Sequence, residues 1–525
     1  MNEQNHAHSA AAAATAHRPV VVIGSGFGGA VVAARLAEAG IPTCLIERGP
    51  WRDSVPVRSM GIDERAPFPQ GRQAWRYLLR SLRHAWLPGG EVTCNRRGLF
   101  ELHLGRDLHI ISSSGVGGGS HVYSGLNVRP PDPAYWDGIA EGLSAAAMEA
   151  HYATVLERLG SRAPLADDGL PNTLEERFRD NPALAVRGTD YALTMGFQFP
   201  EVPGQPRRVT TADGVERDET RPGEDGNLGS IGGGKTTLDF AYLARARRHG
   251  LAIRDLCEVT SIARHAPGAD GGSFTVAVRD LRSGEKSTIA AAQVVLAAGT
   301  MNTLKLLFAS RAAGGLTGMA PLGRRFGGNG DYFGYWNLND RSRDLSVGMP
   351  AHGTLQLAQA EALGAGVAWP LIAEGSLPSP RALPFGRWVG SKLAHGTYVA
   401  GMGEDAQDGT VEYRRGRLRI EYRVENSPIY ARIKQAFKLL GTASARRIYH
   451  FERPITVHPT GGACIGRMAA DGVVSATGEV FDNPGLYVAD AAALPKPVGG
   501  PPSLTIAAWA EHVAAGLIAS RAAHA

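Results

Sequence analysis

The sequence predicts an α/β protein built on a dinucleotide-binding βαβ unit. A β-branched apolar run, Pro19 to Ile23, ends at the turn Gly24-Ser25-Gly26-Phe27-Gly28-Gly29. A helical pattern follows from Ala30 to Ala39, and a short strand, Thr43 to Ile46, closes on Glu47. Strand, glycine turn, helix, strand and acid, in that order and spacing, are what this fold requires.

Each part has a physical reason. Gly24 permits the turn, Gly26 lets backbone approach a pyrophosphate, and Gly29 lets helix pack on strand. The helix N-terminus adds unpaired N–H groups and a favourable dipole for phosphates. A carboxylate at Glu47 accepts hydrogen bonds from adenosine ribose hydroxyls and repels a 2′-phosphate. A glycine turn alone is also compatible with a purely structural strand-to-helix corner; the acid tips the balance.

Similar elements recur later. Gln293 to Ala298 reads as a buried strand closed by Gly299, with a helical pattern from Asn302 to Phe308, and Gly485 to Asp490 reads as a third such strand. The dinucleotide domain is therefore expected to be discontinuous, over 18–52, 105–129, 228–330 and 455–525. Residues 53–104, 130–227 and 331–454 would form an inserted α+β substrate domain, and 1–17 a disordered tail. Leu251 to Arg264 and Ser273 to Val278 are expected strands, with 267–272 as their turn. Alternation over Gly409 to Arg423 predicts paired strands, suited to an antiparallel sheet roofing a cavity.

Bulk properties exclude several classes. A chain of 525 residues holds more than one core of ordinary size, and its 67 glycines are scattered rather than periodic. A formal charge of +5 without a long basic block argues against nucleic acid. The basic stretch Arg72 to Arg106 reads as a solvated face. Cys44, Cys94, Cys257 and Cys464 stand isolated, which suggests neither disulfides nor a metal site and fits a reducing compartment. No apolar run reaches about 18 residues, so a soluble cytoplasmic protein is expected, with peripheral membrane contact left open.

Two further motifs carry chemistry. In Ser112-Ser113-Ser114-Gly115-Val116-Gly117-Gly118-Gly119-Ser120 small side chains let backbone N–H groups lie against a flat ring system or phosphates. Apolar flanks argue for burial, against the alternative of a flexible linker. In Val457-His458-Pro459-Thr460-Gly461-Gly462 a rigidly held imidazole has the form of a general base. A solitary histidine is more often a core or surface residue, so His458 needs support from its surroundings.

Together these segments resemble the glucose-methanol-choline (GMC) oxidoreductase family, and within it the cholesterol oxidase-like branch. The resemblance extends over most of the chain. It is best at Val21 to Arg48, Gly115 to Pro130, Gly234 to Gly330 and Pro454 to Gly516, and poor in the insertions. It implies an FAD-binding Rossmann-like domain with an antiparallel-sheet substrate domain. FAD would meet Gly24, Gly26, Phe27, Gly28, Gly29, Glu47, Gly115, Gly118, Gly119, Ser120, Gly299 and Asp490, with the peptide near Val259 by the adenine. His458 matches the histidine that takes the substrate's hydroxyl proton while hydride leaves for FAD.

The resemblance also exposes departures. Where relatives carry Asn or His, this chain has Pro501, which lacks both a side-chain donor and a backbone N–H. Ser503 is close enough in sequence to compensate. Tyr123 replaces an Asn. The isomerising Glu of bifunctional oxidases has no clear match among Gly386-Arg387-Trp388 or at Glu374, so isomerisation is not expected. The expected reaction is oxidation of an apolar alcohol, sterol-like or otherwise bulky and hydrophobic, to the carbonyl, with dioxygen or, slightly favoured, an electron carrier as acceptor. Pro501 keeps open a non-redox lyase or isomerase holding FAD; a non-catalytic flavin-binding protein is the third alternative.

Overall fold

The computed structural model describes residues 19–84, 86–165, 186–187, 194–221, 223–265, 273–342, 344–345, 350–351, 353–357, 371–375, 388 and 393–523. At its centre is a five-stranded parallel sheet in the order Ala252–Arg254, Thr43–Ile46, Val20–Ile23, Gln293–Leu296 and Leu486–Val488. Strands expected at the start, middle and end of the chain thus lie side by side. Val20, Val21, Val22, Val294, Val295 and Leu296 are fully buried, as strands covered on both faces must be.

Helix Gly29–Glu38 follows the first strand and buries eight of its ten residues. The C-terminal helix Ser503–Ala522 packs on it and on helix Ala145–Arg158. Trp509 of the C-terminal helix is fully buried and donates its indole N–H to the Val488 carbonyl at 3.1 Å, fixing helix to sheet. The helix expected over Asn302 to Phe308 spans Thr300–Ala312.

Strands Cys257–Arg264, Phe274–Asp280 and Lys286–Ala291 form an antiparallel sheet. The turn expected at 267–272 and the N-terminal tail lie outside the described residues. A six-stranded antiparallel sheet runs in the order Ile448–His450, Tyr332–Trp336, Thr397–Met402, Leu371–Gly375, Gly353–Leu357 and Val186–Arg187. Glu374 falls in its fourth strand, whereas Gly386 and Arg387 lie outside the described residues.

The paired strands expected over Gly409 to Arg423 exist as Thr410–Arg414 and Arg417–Glu421. Arg415 and Gly416 turn them with φ of 51° and 79°, as a two-residue type I′ hairpin requires. They do not roof the cavity, which corrects that expectation. Among the described residues the two strands join no larger sheet and neither lines the cavity, and the second strand is alternately exposed; the cavity wall comes instead from the six-stranded sheet.

A mixed sheet decides where the chemistry lies. Its order is Ile455–Thr456, His109–Ser113, Phe100–Leu104, Leu79–Arg83 and Glu91–Thr93. Parallel pairing of Ile455 with His109 sets two segments side by side, one leading to His458 and the other to the Gly115 loop. In the basic stretch Arg72, Arg76, Arg96, Arg97 and Arg106 are exposed, as a solvated face requires, but two arginines of this sheet depart from that reading. Arg80 and Arg83 do not face solvent; with Arg48 they surround Glu101, which is 0% exposed. Burial would raise the Glu101 pKa, but Arg48, Arg83 and Arg80 outweigh it and hold the carboxyl at about 2. Among the described residues no helix is long and apolar enough to cross a membrane.

Candidate FAD and substrate site

The glycine turn divides into packing positions and one position of approach. A Cβ on Gly24 would lie 2.3 Å from the Ala297 carbonyl oxygen, on Gly28 2.0 Å from that of Ala489, and on Gly29 1.8 Å from that of Gly24. These three let backbones touch. A Cβ on Gly26 would meet only Gly118 Cα, at 3.9 Å. On Gly119 or Gly299 it would meet nothing within 4 Å. Gly26, Gly119 and Gly299 all line one cavity of about 810 Å³. Backbone bared toward open space on three separate segments fits a cofactor pressed against it, and FAD fits this cradle.

Glu47 braces the turn. Its carboxylate accepts from Ser25 N at 3.0 Å, Ser25 Oγ at 2.7 Å and Gly49 N at 2.7 Å. A carboxylate offers about four acceptor sites, so capacity remains for a ribose hydroxyl. Cys257 N donates to the Glu47 carbonyl at 2.9 Å, which brings the strand carrying Val259 beside this acid.

The second glycine run is buried, not a linker. Gly118 packs on Gly26, and Gly115 lies by the Arg52 guanidinium, which donates to the carbonyls of Arg97, Gly98 and Ser114. Ser120 spends its hydroxyl inside the protein, donating to Gly117 O at 2.7 Å and accepting from Leu238 N at 3.0 Å. Phe27 sets its ring edge on Tyr123, with centroids 5.3 Å apart. Tyr123, where an Asn was expected, donates its hydroxyl to Thr236 O at 2.7 Å.

Asp490 sits at the end of the last parallel strand and is 3% exposed. It accepts from Gly299 N, Thr303 Oγ1 and Ala492 N at 2.9, 2.5 and 2.9 Å. Burial pushes its pKa up to about 6, against the lowering effect of those donors. One acid thereby holds the Gly299 turn and the start of the last segment together.

His458 also lines the cavity, its side chain 23% exposed. Its Nδ1 lies 2.9 Å from Oδ2 and 3.1 Å from Oδ1 of Asp331, which is 0% exposed. Pro501 and Ser503 are also on the cavity wall. Ser503 donates its hydroxyl to the Leu126 carbonyl at 3.0 Å. The approach to Pro501 is set by Asn329, fully buried, whose Oδ1 accepts from Val498 N and Gly499 N at 2.9 and 3.1 Å and whose Nδ2 donates to Gly500 O at 2.8 Å.

The cavity thus gathers Gly26, Phe27, Gly28, Gly119, Gly299, Asp490, His458 and Ser503. Gly24, Gly29, Glu47, Gly115, Gly118, Ser120 and Val259 lie outside its lining. Sequence reasoning missed Asp331, Asn329 and Lys235. Lys235 is fully buried and fills all three donors, on His121 O, Tyr123 O and Gly226 O at 2.8 to 2.9 Å. Burial lowers its pKa to about 7. A signal for the other two was present: the run Gly327-Gly328-Asn329-Gly330-Asp331 sets two polar side chains among glycines.

Comparisons with known proteins agree with this geometry. Residues 417–510 match the family model described as GMC oxidoreductase. The chain is 27% identical to a cholesterol oxidase of Mycobacterium tuberculosis (strain CDC 1551 / Oshkosh), covering 94% of this chain and 90% of that protein. It is 24% identical to a cholesterol oxidase of Acinetobacter baumannii, over 94% and 92%. Among solved structures, pyridoxine 4-oxidase from Mesorbium loti shares the fold with a TM-score of 0.62 at 18% identity, over 95% and 99% of the two chains. A fungal aryl-alcohol oxidase aligns at a TM-score of 0.56 and 14% identity, over 96% and 99%. The glycine cradle, the buried acids and the segment that matches the GMC oxidoreductase model lie in one fold, and over most of its length the chain is similar to cholesterol oxidases.

Proposed function

We propose that the protein oxidises a bulky apolar alcohol to the corresponding carbonyl compound, with His458 as the base. The observation that carries this is His458 on the wall of a largely apolar cavity that the glycine cradle also lines, with Nδ1 anchored on a buried carboxylate. FAD, when bound, supplies the hydride acceptor. Gly26, Gly119 and Gly299 would lie against it, and Glu47 and Asp490 hold the turns that shape its bed. His458 Nε2 takes the hydroxyl proton as the carbon–hydrogen bond breaks. Aromatic and apolar side chains such as Phe100, Ile111, Met301, Phe333 and Met402 exclude water and favour a hydrophobic substrate body.

The test is anaerobic mixing of the holoenzyme with cholesterol in micelles, geraniol or benzyl alcohol. At least one bleaches the flavin band, and His458→Ala slows that bleaching by about 10² to 10⁴-fold. No bleaching by any of them in FAD-loaded enzyme sinks the proposal. Pro501, in place of a polar side chain, favours a carrier as electron acceptor, so turnover with an artificial acceptor exceeds turnover with dioxygen. The reverse order makes the enzyme an oxidase, as its relatives are named. Pro501 also supports the second reading, a lyase or isomerase, which predicts turnover that needs His458 while the flavin stays oxidised.

A further inference from the structure

We infer that Asp331 is the positioning residue of this reaction: its carboxylate holds His458 as the Nδ1–H tautomer and leaves Nε2 to accept the substrate's proton. The inference rests on His458 being the base, and it adds the group that makes it one.

Asp331 precedes the strand Tyr332–Trp336 and is separated from His458 by 127 residues. It has three partners. Thr456 Oγ1 and Val457 N donate to its Oδ2 at 2.9 and 3.0 Å, and His458 Nδ1 meets the carboxylate at 2.9 Å. An ionised carboxylate only accepts, so a neutral imidazole facing it must carry its proton on Nδ1. The other ring nitrogen is then a free lone pair for the cavity.

A purely structural role does not explain an acid here. Burying a carboxylate at 0% exposure is costly, and an Asn side-chain oxygen would satisfy Thr456 and Val457 without charge. Only the imidazole distinguishes the two. Asn would turn an N–H toward Nδ1, make Nδ1 the acceptor and place the proton on Nε2, where it blocks proton uptake.

The surrounding bonds make the position rigid. The single proton of Thr456 Oγ1 is shared between Asp331 and Gly328 O, 2.8 Å away, and the same oxygen accepts from His458 N at 2.9 Å. Gly328 N donates to Asp405 at 2.6 Å, and Asp405 accepts from Tyr422, which pairs with Tyr430 at 2.9 Å. Asp405, Tyr422 and Tyr430 are the other titratable groups packed against this loop. Asn329, two residues before Asp331, sets the backbone before Pro501. One five-residue loop therefore places the base and the wall beside it.

The experiment compares wild type, Asp331→Asn, His458→Ala and the double variant as FAD-loaded proteins, reduced by cholesterol or benzyl alcohol, whichever bleaches wild type faster. Asp331→Asn is expected to slow flavin reduction by about 10² to 10⁴-fold, as tautomer reversal does in a carboxylate–histidine pair, with KM within about threefold. In the His458→Ala background the same change costs less than about threefold, because the residue it acts through is gone. A single variant within threefold of wild type, or a loss that multiplies fully with that of His458→Ala, overturns the inference. If His458→Ala itself reduces at the wild-type rate, it is the base assignment that falls. Should Asp331→Asn fail to fold, ¹⁵N-histidine NMR of wild-type holoenzyme decides, with His458→Ala identifying the signal. The Nδ1–H tautomer is expected; the Nε2–H tautomer overturns the inference.

Discussion

The two walls of the cavity are made in opposite ways. On the cofactor side the surface is backbone, bared by Gly26, Gly119 and Gly299 and held by close-packed glycines beneath. On the substrate side it is side chains, with His458 oriented by a carboxylate from a distant segment. Backbone surfaces tolerate no added carbon beneath them, whereas side-chain surfaces depend on partners that can be exchanged singly. A flat, partly anionic cofactor needs the first construction; a proton transfer at one atom needs the second.

Substitution of glycines breaks the first wall in two distinguishable ways. Gly29→Ala forces a Cβ to 1.8 Å from a backbone oxygen, so no stable FAD-loaded protein is expected. Gly26→Ala has room within the protein and folds, but its methyl group stands where the pyrophosphate would approach, and FAD affinity falls by about tenfold or more. Flavin content and melting temperature of the two variants check this. Similar melting and similar flavin loss in both would erase the division between packing and approach.

Each region also contains a buried acid, Asp490 in one and Asp405 in the other, and burial pushes both to about pKa 6. Their folded pKa values exceed those of the unfolded chain. Each therefore contributes stability fully present below about pH 4 and lost as pH rises through about 6, about 3 kcal/mol apiece for two units. Melting temperature followed from pH 4 to 7 should fall. Asp405→Asn removes its share of that slope, and an unchanged slope would show that Asp405 is charged without penalty.

The same contrast explains what was legible in the sequence. Gly24, Gly26, Gly29 and Glu47 act through local backbone geometry, so their spacing is written within one βαβ unit, and Thr43–Ile46 forms where its pattern predicts. Asp331 is marked locally by its glycine-rich run, but its partner is not: the run meets His458 only across 127 residues of sequence, a long-range contact that local spacing does not encode. The hairpin at Thr410–Glu421 was legible as a hairpin but not in its location, because alternation fixes pairing partners and not what a sheet faces. Arg80 and Arg83 misled for a related reason: the charge that buries them, Glu101, lies on a neighbouring strand.

Ser503 gives the smallest effect and sharpens the substrate side. It stands near Pro501 on the cavity wall and is the side chain best placed in sequence to replace the missing polar group. Its proton, however, is donated to the Leu126 carbonyl, so at rest it offers the substrate lone pairs and no donor. Ser503→Ala should lower stability by about 1 kcal/mol, the net value of one such bond. Flavin reduction should slow by less than about tenfold. A larger loss in rate with unchanged melting would mean that the hydroxyl leaves Leu126 during turnover and hydrogen-bonds the substrate oxygen. The substrate side would then hold two polar groups, one fixed by Asp331 and one recruited.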